Sequence, residues 1–563
     1  MLHRIEKQTA TYADVLHAIG AASLLEELGF TGVTIRNLGH EFSLETASDL
    51  PPHRWLRPSP GFPYIWEASK ESLRPELSWV LDYEDARRKR EAWLSYQKEL
   101  AKSRGRQKAV MDAQGVQEPP KPPPELQTAA VLASMRKGWN GDRELATWIV
   151  RNPESLMQWV AWGLGISPRP PRGIPKVTNS QLLNPIAGKG VHAPKTELRS
   201  AGSIPPQLVD PFAEWMKIRG LWNGMLLYRH GNDFKCFALE PANITVGGIK
   251  LARDKLQDLN LWGGVRLDIE ASLRCTEVLI LHSDVVQQGT GSLIALRSLT
   301  PRAVIAGLRQ AYFKSLGTAA ALMNDAAMPL PEWFRIDTRE DARDYLDIIE
   351  EAIGTGQVPR RTPGCLGSLD ETRSDDGRIL QQFRQWLLTG DLQELLDFHH
   401  CFALHLIQRM AGRLWCRPFA VLNLDKLLTK AFSGRSDVKK IIQDEGFKSI
   451  ARAVRNCTIY ALSLQNREVR FGLAQKWKQK MRAGHEEFLA EVSEFIQDQN
   501  WEVMHRLKGQ GHVVQTEHLD SLVRLVGEHG SQLVGALLLA YGYARAPKVE
   551  GDQPLPETES QQN

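Results

Sequence analysis

The chain has 563 residues, too many for a single hydrophobic core, so roughly two to four domains are expected. Its composition, 42% hydrophobic and 24% charged, is that of a folded globular protein and excludes a disordered chain. The formal net charge of +4 is too mild to indicate a nucleic-acid partner by itself; only clustering of charge on one region can do so.

Taken in chain order, residues 11–28 read as a helix. Thr11 caps it, Asp14 completes a capping-box pattern, Val15, Leu16, Ile19, Leu24, Leu25 and Leu28 supply an apolar stripe, and Gly29 marks the exit. The following GVTIRNLGHEFSLET, 32–46, reads as one or two strands about a turn at 37–39. The prolines between 51 and 63 break regular structure. Residues 83–108 interleave both charge signs without Pro and predict an exposed helix. PPKPPP at 119–124 is a stiff spacer or surface loop, and a helix is expected over 142–162. Residues 166–206, rich in Pro, Gly, Asn and Lys, read as a long loop of the kind that carries function.

Beyond Gly220 the pattern turns to strands. NGMLLYRHGNDFKCFALEP, 223–241, is a hairpin signature around 230–233, and TEVLILHSDVV, 276–286, reads as a buried strand. Pro301 is expected to open a helix running through Leu322. After an irregular stretch, 354–377, helix-period sequences follow one another, and Leu533 to Tyr541 reads as a buried core helix, too short to span a membrane. The expected class is α+β: a mixed α/β amino-terminal region with antiparallel strands, then an all-α bundle. The expected regions are 1–165, 166–355 and 375–547, with a polar, disordered tail at 548–563. The amino terminus lacks the apolar core of an export signal, and the six cysteines show neither a CxxC pair nor a disulfide framework, so a cytosolic location is expected.

Several chemistries lack their motif. Gly188-Lys189-Gly190 has Leu183 where a phosphate loop needs its first glycine and Gly190 where Ser or Thr would bind Mg²⁺. There is no G-x-S-x-G elbow and no H-E-x-x-H. His399 and His400 point about 100° apart on a helix, and His400 and His405 miss the i, i+4 spacing, so buried histidines are the better reading. The acidic pairs Asp375-Asp376 and Glu350-Glu351 assemble no two-metal site. No cofactor is expected. A metal-dependent nuclease using Asp397 and His399 is the enzyme alternative, and a scaffold or stand-alone nucleic-acid binder the other.

Two features point to nucleic acid. The loop IPKVTNSQLLNPIAGKGVHAPKTELRSAG combines Asn179, Gln181 and Asn184, able to read base edges, with the cations Arg172, Lys176, Lys189 and Lys195, and its glycines let backbone amides approach phosphate. Then, between Lys430 and Arg482, thirteen Lys and Arg face four acidic residues, an excess of nine in a tenth of the chain. Lys448, Arg452 and Arg455 fall at offsets that share a helix face, and KWKQKMR adds Lys476 and Lys480. Such a face holds a phosphate backbone without sequence preference. Trp477 between them is expected to pack in the bundle rather than stack on a base.

The motifs H-A-I-G-A-A-S-L-L-E-E-L-G (17–29) and N-P-I-A-G-K-G (184–190), a strand-rich middle and a helical carboxy-terminal bundle resemble the large subunit of type I CRISPR surveillance complexes (Cascade). The likeness is closest to subtypes A and B, including forms borrowed by transposons. It covers most of the chain as architecture and only these short stretches as motif. It implies a non-catalytic subunit that recognises the protospacer-adjacent motif in duplex target DNA, stabilises the R-loop beside a guide RNA and the other complex subunits, and recruits a helicase–nuclease or a transposition adaptor. HD and G-G-D-D elements, and zinc-finger cysteines, found in some large subunits, are absent.

Overall fold

The computed structural model describes residues 2–51, 54, 64–66, 80–102, 119, 148, 152–177, 182–186, 209–230, 233–257, 259, 261, 263–287, 292–315, 320–355, 362–461, 469–509 and 511–546. The fold is α+β, with antiparallel sheets toward the amino terminus and helices toward the carboxy terminus. It divides into two compact units. The first takes 1–262, 291–295 and 302–329; the second takes 263–290, 296–301 and 330–563. Both units contain residues from the region expected over 166–355.

The first unit begins with β1 (Leu2–Glu6), α1 (Tyr12–Glu27), β2 (Thr34–Asn37) and β3 (Glu41–Glu45), followed by β4 (Tyr64–Trp66), β5 (Val80–Asp82) and α2 (Tyr83–Lys102). It continues through α3 (Pro153–Gly163), α4 (Pro211–Gly224), β6 (Met225–His230), β7 (Asp233–Pro241), β8 (Asn243–Thr245) and α5 (Val246–Gln257), and closes with β9 (Ile305–Ser315) and β10 (Ala320–Pro329). Two four-stranded sheets form, ordered β1-β3-β2-β8 and β10-β9-β7-β6, each antiparallel throughout. Thr11 caps α1 as expected, accepting the Ala13 amide; the Asp14 carboxylate turns instead to the Gln8 and Thr9 amides. The apolar residues of α1 are not a stripe, because the helix is buried on nearly every side. It packs on both sheets and crosses α4 backbone to backbone. A Cβ on Gly20 would lie 1.8 Å from the Met216 carbonyl oxygen, and one on Gly220 would lie 1.9 Å from that of Leu16. Only hydrogen side chains permit this approach.

One strand assignment and one helix assignment are corrected. Residues 276–281 lie inside a helix: a continuous apolar run buried on all sides carries no period that separates strand from helix. Pro301 opens only a single turn, Pro301–Val304, before β9 and β10 form a hairpin. Local preference in AALMNDAAMP favours helix, but β9 also pairs with β7, and that tertiary ladder decides. The expected hairpin at 223–241 is present as β6–β7.

The second unit contains α6 (Val265–Leu281), α7 (Arg339–Ile353), α8 (Ser374–Thr389), α9 (Leu392–Ala411), α10 (Val421–Ala431), α11 (Ser436–Gln443), α12 (Glu445–Cys457), α13 (Leu473–Ala483), α14 (His485–His505), α15 (Thr516–His529) and α16 (Ser531–Gly542). The apolar helix α16 is its centre, packing on α9, α12, α13 and α15 with Leu537, Leu538 and Leu539 all buried. No helix among the described residues is long and apolar enough to cross a membrane.

Candidate nucleic-acid interface

The basic segment is best read one helix at a time. In α13, Leu473, Ala474, Trp477 and Met481 are buried. Residues advance 100° each, so Lys476 and Lys480 fall on one flank of that stripe and Lys478 and Arg482 on the other. Lys476 reaches Glu491 at 2.8 Å, Lys478 reaches Asp397 at 3.1 Å, and no ion pair forms with Lys480 or Arg482 among the described residues. Trp477 meets Phe488 and Phe495 edge to face inside the bundle, as its neighbours predicted.

In α12 the exposed stripe is narrow. Glu445, Lys448 and Arg452 face solvent, and Lys448 pairs with Glu445 at 2.8 Å. Arg455, expected on this face, is buried. Its guanidinium donates to the carbonyls of Tyr541 (2.8 Å) and Ala544, closing the carboxy-terminal end of α16. A helix end leaves carbonyls without partners, and a buried cation satisfies them at the pole where positive charge is favoured.

The other cations follow the same logic. Lys430 is held by Asp341 and Asp344, both at 2.6 Å, Arg435 by Asp437 at 2.7 Å, and Arg470 by Asp498 at 3.4 Å. Arg467 lies outside the described residues. What remains is Lys439, Lys440, Arg452, Lys480 and Arg482, at least partly exposed and without a carboxylate partner among the described residues. Of the cations counted in the sequence, Lys430, Arg470, Lys476 and Lys478 are answered by acids outside the segment, and Arg435 and Lys448 by acids within it.

The loop is described only in part. Arg172 and Lys176 are exposed, while Asn179, Gln181, Lys189 and Lys195 lie outside the described residues. Asn184 is corrected. It is 2% exposed, its amide donates to both Glu214 carboxylate oxygens (3.1 and 2.8 Å), and its carbonyl oxygen accepts from Lys217 at 2.6 Å. With Tyr12 donating to the Leu182 carbonyl at 2.6 Å, Asn184 fastens this stretch to α1 and α4 and has no amide left for a base edge.

No protein-family model and no curated protein sequence matches this chain.

No cluster of three metal-ligating side chains, the histidines of α9 included, occurs among the described residues. His399 packs edge to face on Phe398 and Phe419, and burial pushes its pKa down to about 4. Burial does the same to His400, reinforced by the nearby Lys478 charge and opposed by Asp397. The acidic pairs are split: Glu351 is buried against the Ala420 amide and Asn423, and Asp376 turns to His405.

That last contact is part of an arrangement the sequence did not reveal. Ser368 Oγ lies 3.1 Å from His405 Nε2, and His405 Nδ1 lies 3.0 Å from Asp376 Oδ1. The order of groups is that of a nucleophile relay. However, Ser368 is 5% exposed, and Asp376 also accepts the Asp370 amide at 3.0 Å. The network therefore ties the short 3₁₀ turn Cys365–Ser368 to α8 and α9. Separations of 37 and 29 residues left no spacing signal to find it by.

Proposed function

We propose that this chain is a non-catalytic nucleic-acid-binding subunit of an RNA-guided surveillance complex of the type I CRISPR kind, acting in the cytoplasm. The observation that carries the reading is the set of five cations, Lys439, Lys440, Arg452, Lys480 and Arg482, at least partly exposed on the helical unit without a carboxylate to answer them among the described residues. A cation already matched by an acid brings no net positive charge to a phosphate; these five do. The motifs at 17–29 and 184–190 give the reading its family, and the exposed Arg172 and Lys176 suit contact with duplex phosphates beside the recognition motif. In this reading Lys448 and Lys476, half exposed but ion-paired, contribute less than the five. Motif recognition falls to the loop of the first unit, R-loop stabilisation to the helical unit, and recruitment of a helicase–nuclease or transposition adaptor follows target capture.

The test is purification of the tagged chain from cells carrying its genomic neighbours, with sequencing of any bound RNA. Recovery of a stoichiometric repeat-derived guide RNA with further subunits is the expected result. An RNA-free chain that still retains duplex DNA reduces the function to stand-alone binding, and a chain that retains no nucleic acid overturns the proposal.

A further inference from the structure

Between α9 and α10 the chain makes an exposed corner, Ala411 to Trp415. Leu414 is 51% exposed and Trp415 37%, side by side. No Asp or Glu occurs in the chain between Asp397 and Asp425, whereas Arg409, Arg413 and Arg417 all fall in that stretch. Arg413 is exposed and the other two half-buried, and none of the three has a carboxylate within ion-pair distance among the described residues. The Arg417 charge acts on buried Glu351, so Arg409 and Arg413 are the two cations the corner offers. The Trp415 ring rests on the 3₁₀ turn Cys365–Ser368: a Cβ on Gly367 would lie 3.4 Å from its Cη2 and Cζ3 atoms. Beyond that turn, Asp370 faces Arg373 at 3.7 Å and Asp376 is buried against His405.

The corner is held in shape by its own hydrogen bonds. Arg409 donates through Nε and Nη2 to the Trp415 carbonyl (3.3 and 3.0 Å), and the Arg413 and Leu414 amides donate to the carbonyls of Met410 (3.0 Å) and Arg409 (2.9 Å). A second, independent observation is the backbone of Arg413. Its φ is +54°, in the left-handed region that usually falls to glycine just past a helix. Gly412 stands one position earlier at φ −77°, where a Cβ would meet nothing nearer than 3.5 Å. The strained position therefore carries an arginine where glycine would sit without strain. Backbone outliers of this kind cluster at binding and catalytic sites.

We propose that this corner docks an acidic peptide segment of a partner protein, its carboxylates paired with Arg409 and Arg413 and an apolar side chain seated on Leu414 and Trp415. Arginine and tryptophan are the residues most enriched at the centres of tight interfaces, and an arginine without an acid of its own is suited to a carboxylate. A loop already fixed by hydrogen bonds spares the cost of ordering it on binding. A nucleic-acid strand would stack a base on an open ring and make no use of an exposed leucine, yet Leu414 is the more exposed of the pair. The inference does not rest on the surveillance-complex reading, because such a segment would dock whether or not the chain holds a guide RNA.

The experiment selects random peptides displayed on phage against the full chain, with a parallel selection against Arg413→Gly. The expected class, enriched on the native chain alone, carries Asp or Glu beside one or two large apolar residues. Fluorescence anisotropy of a labelled peptide from that class then reads the variants. Arg413→Gly relieves the left-handed backbone, so thermal stability is kept or raised while peptide binding falls by about tenfold or more. Leu414→Gln, at an exposed position and without change of charge, weakens binding comparably. Absence of an acidic class, equal enrichment on both chains, or peptide binding unchanged in both variants overturns the proposal. A single-stranded oligonucleotide that displaces the peptide and itself binds about tenfold more weakly to Leu414→Gln also overturns it, assigning the corner to nucleic acid.

Discussion

The number of cations that meet nucleic acid is measurable. For B-DNA the logarithm of the binding constant falls with the logarithm of salt by about 0.9 per phosphate neutralised. Counting all thirteen Lys and Arg between 430 and 482 would give a contribution of about 12 from this segment. The five unmatched cations give at most about 4.5, worth roughly 500-fold in affinity between about 50 and 200 mM salt. The perturbation is the combined variant K439Q/K440Q/R452Q/K480Q/R482Q, at positions that are at least partly exposed. The control is Lys430→Gln, because Lys430 sits between Asp341 and Asp344. Fluorescence anisotropy with a short duplex across a salt series reads both. The combined variant should lower the slope by about 4 and the control by less than about 0.5. A combined variant with an unchanged slope, or a control that matches it, would refute the assignment of the interface to unmatched charge.

Three further outcomes follow from packing and titration. Gly20→Ala, which gains about 1 kcal/mol in a solvent-exposed helix, should instead destabilise the first unit by about 2–4 kcal/mol, since its Cβ meets a backbone oxygen at 1.8 Å. Urea titration with local hydrogen exchange checks this, and Gly20→Ala/Gly220→Ala should cost less than the sum because one widening of the α1–α4 crossing relieves both. His399 has a folded pKa of about 4, below its ordinary 6.5, so the fold favours the neutral ring. The stability it contributes is present above pH ~6.5 and lost as pH falls toward 4, on the order of 3 kcal/mol, and urea midpoints of His399→Phe should show a flatter loss over that window. Ser368→Ala should cost about 1–2 kcal/mol by leaving His405 Nε2 unpaired, and a fluorophosphonate probe should not label the native chain; labelling at Ser368 would contradict a non-catalytic role.

What the sequence made legible was local. The cap at Thr11, the turn at 37–39 and the hairpin at 223–241 each depend on neighbours within a few residues, and each is found. The errors lie where distant chain decides. The run at 276–281 has no period to read once every side is buried, and β9 takes its conformation from β7, about seventy residues earlier. Site residues divide in the same way. Asn184 looked like a loop amide free to read a base, but Glu214, 30 residues on, claims it.

The charge error has a physical lesson that reaches the function. A window of sequence counts cations but not the acids that fold onto them: Lys430 finds Asp341 across 89 residues, and Lys478 finds Asp397 across 81. A lysine so paired presents phosphate with a compensated group. Engaging the phosphate alone would require stripping its carboxylate, leaving that acid to be rehydrated or to repel the incoming strand. Arg455 is further removed still, because withdrawing it would take the side-chain donor from the Ala544 carbonyl and leave the Tyr541 carbonyl to backbone amides alone at the end of the central helix α16. Residues that hold the bundle together and residues free to hold a ligand are thus separated by their partners rather than by their type. Lys480 and Lys478, two positions apart in α13, make the point: among the described residues only the second has a carboxylate facing it.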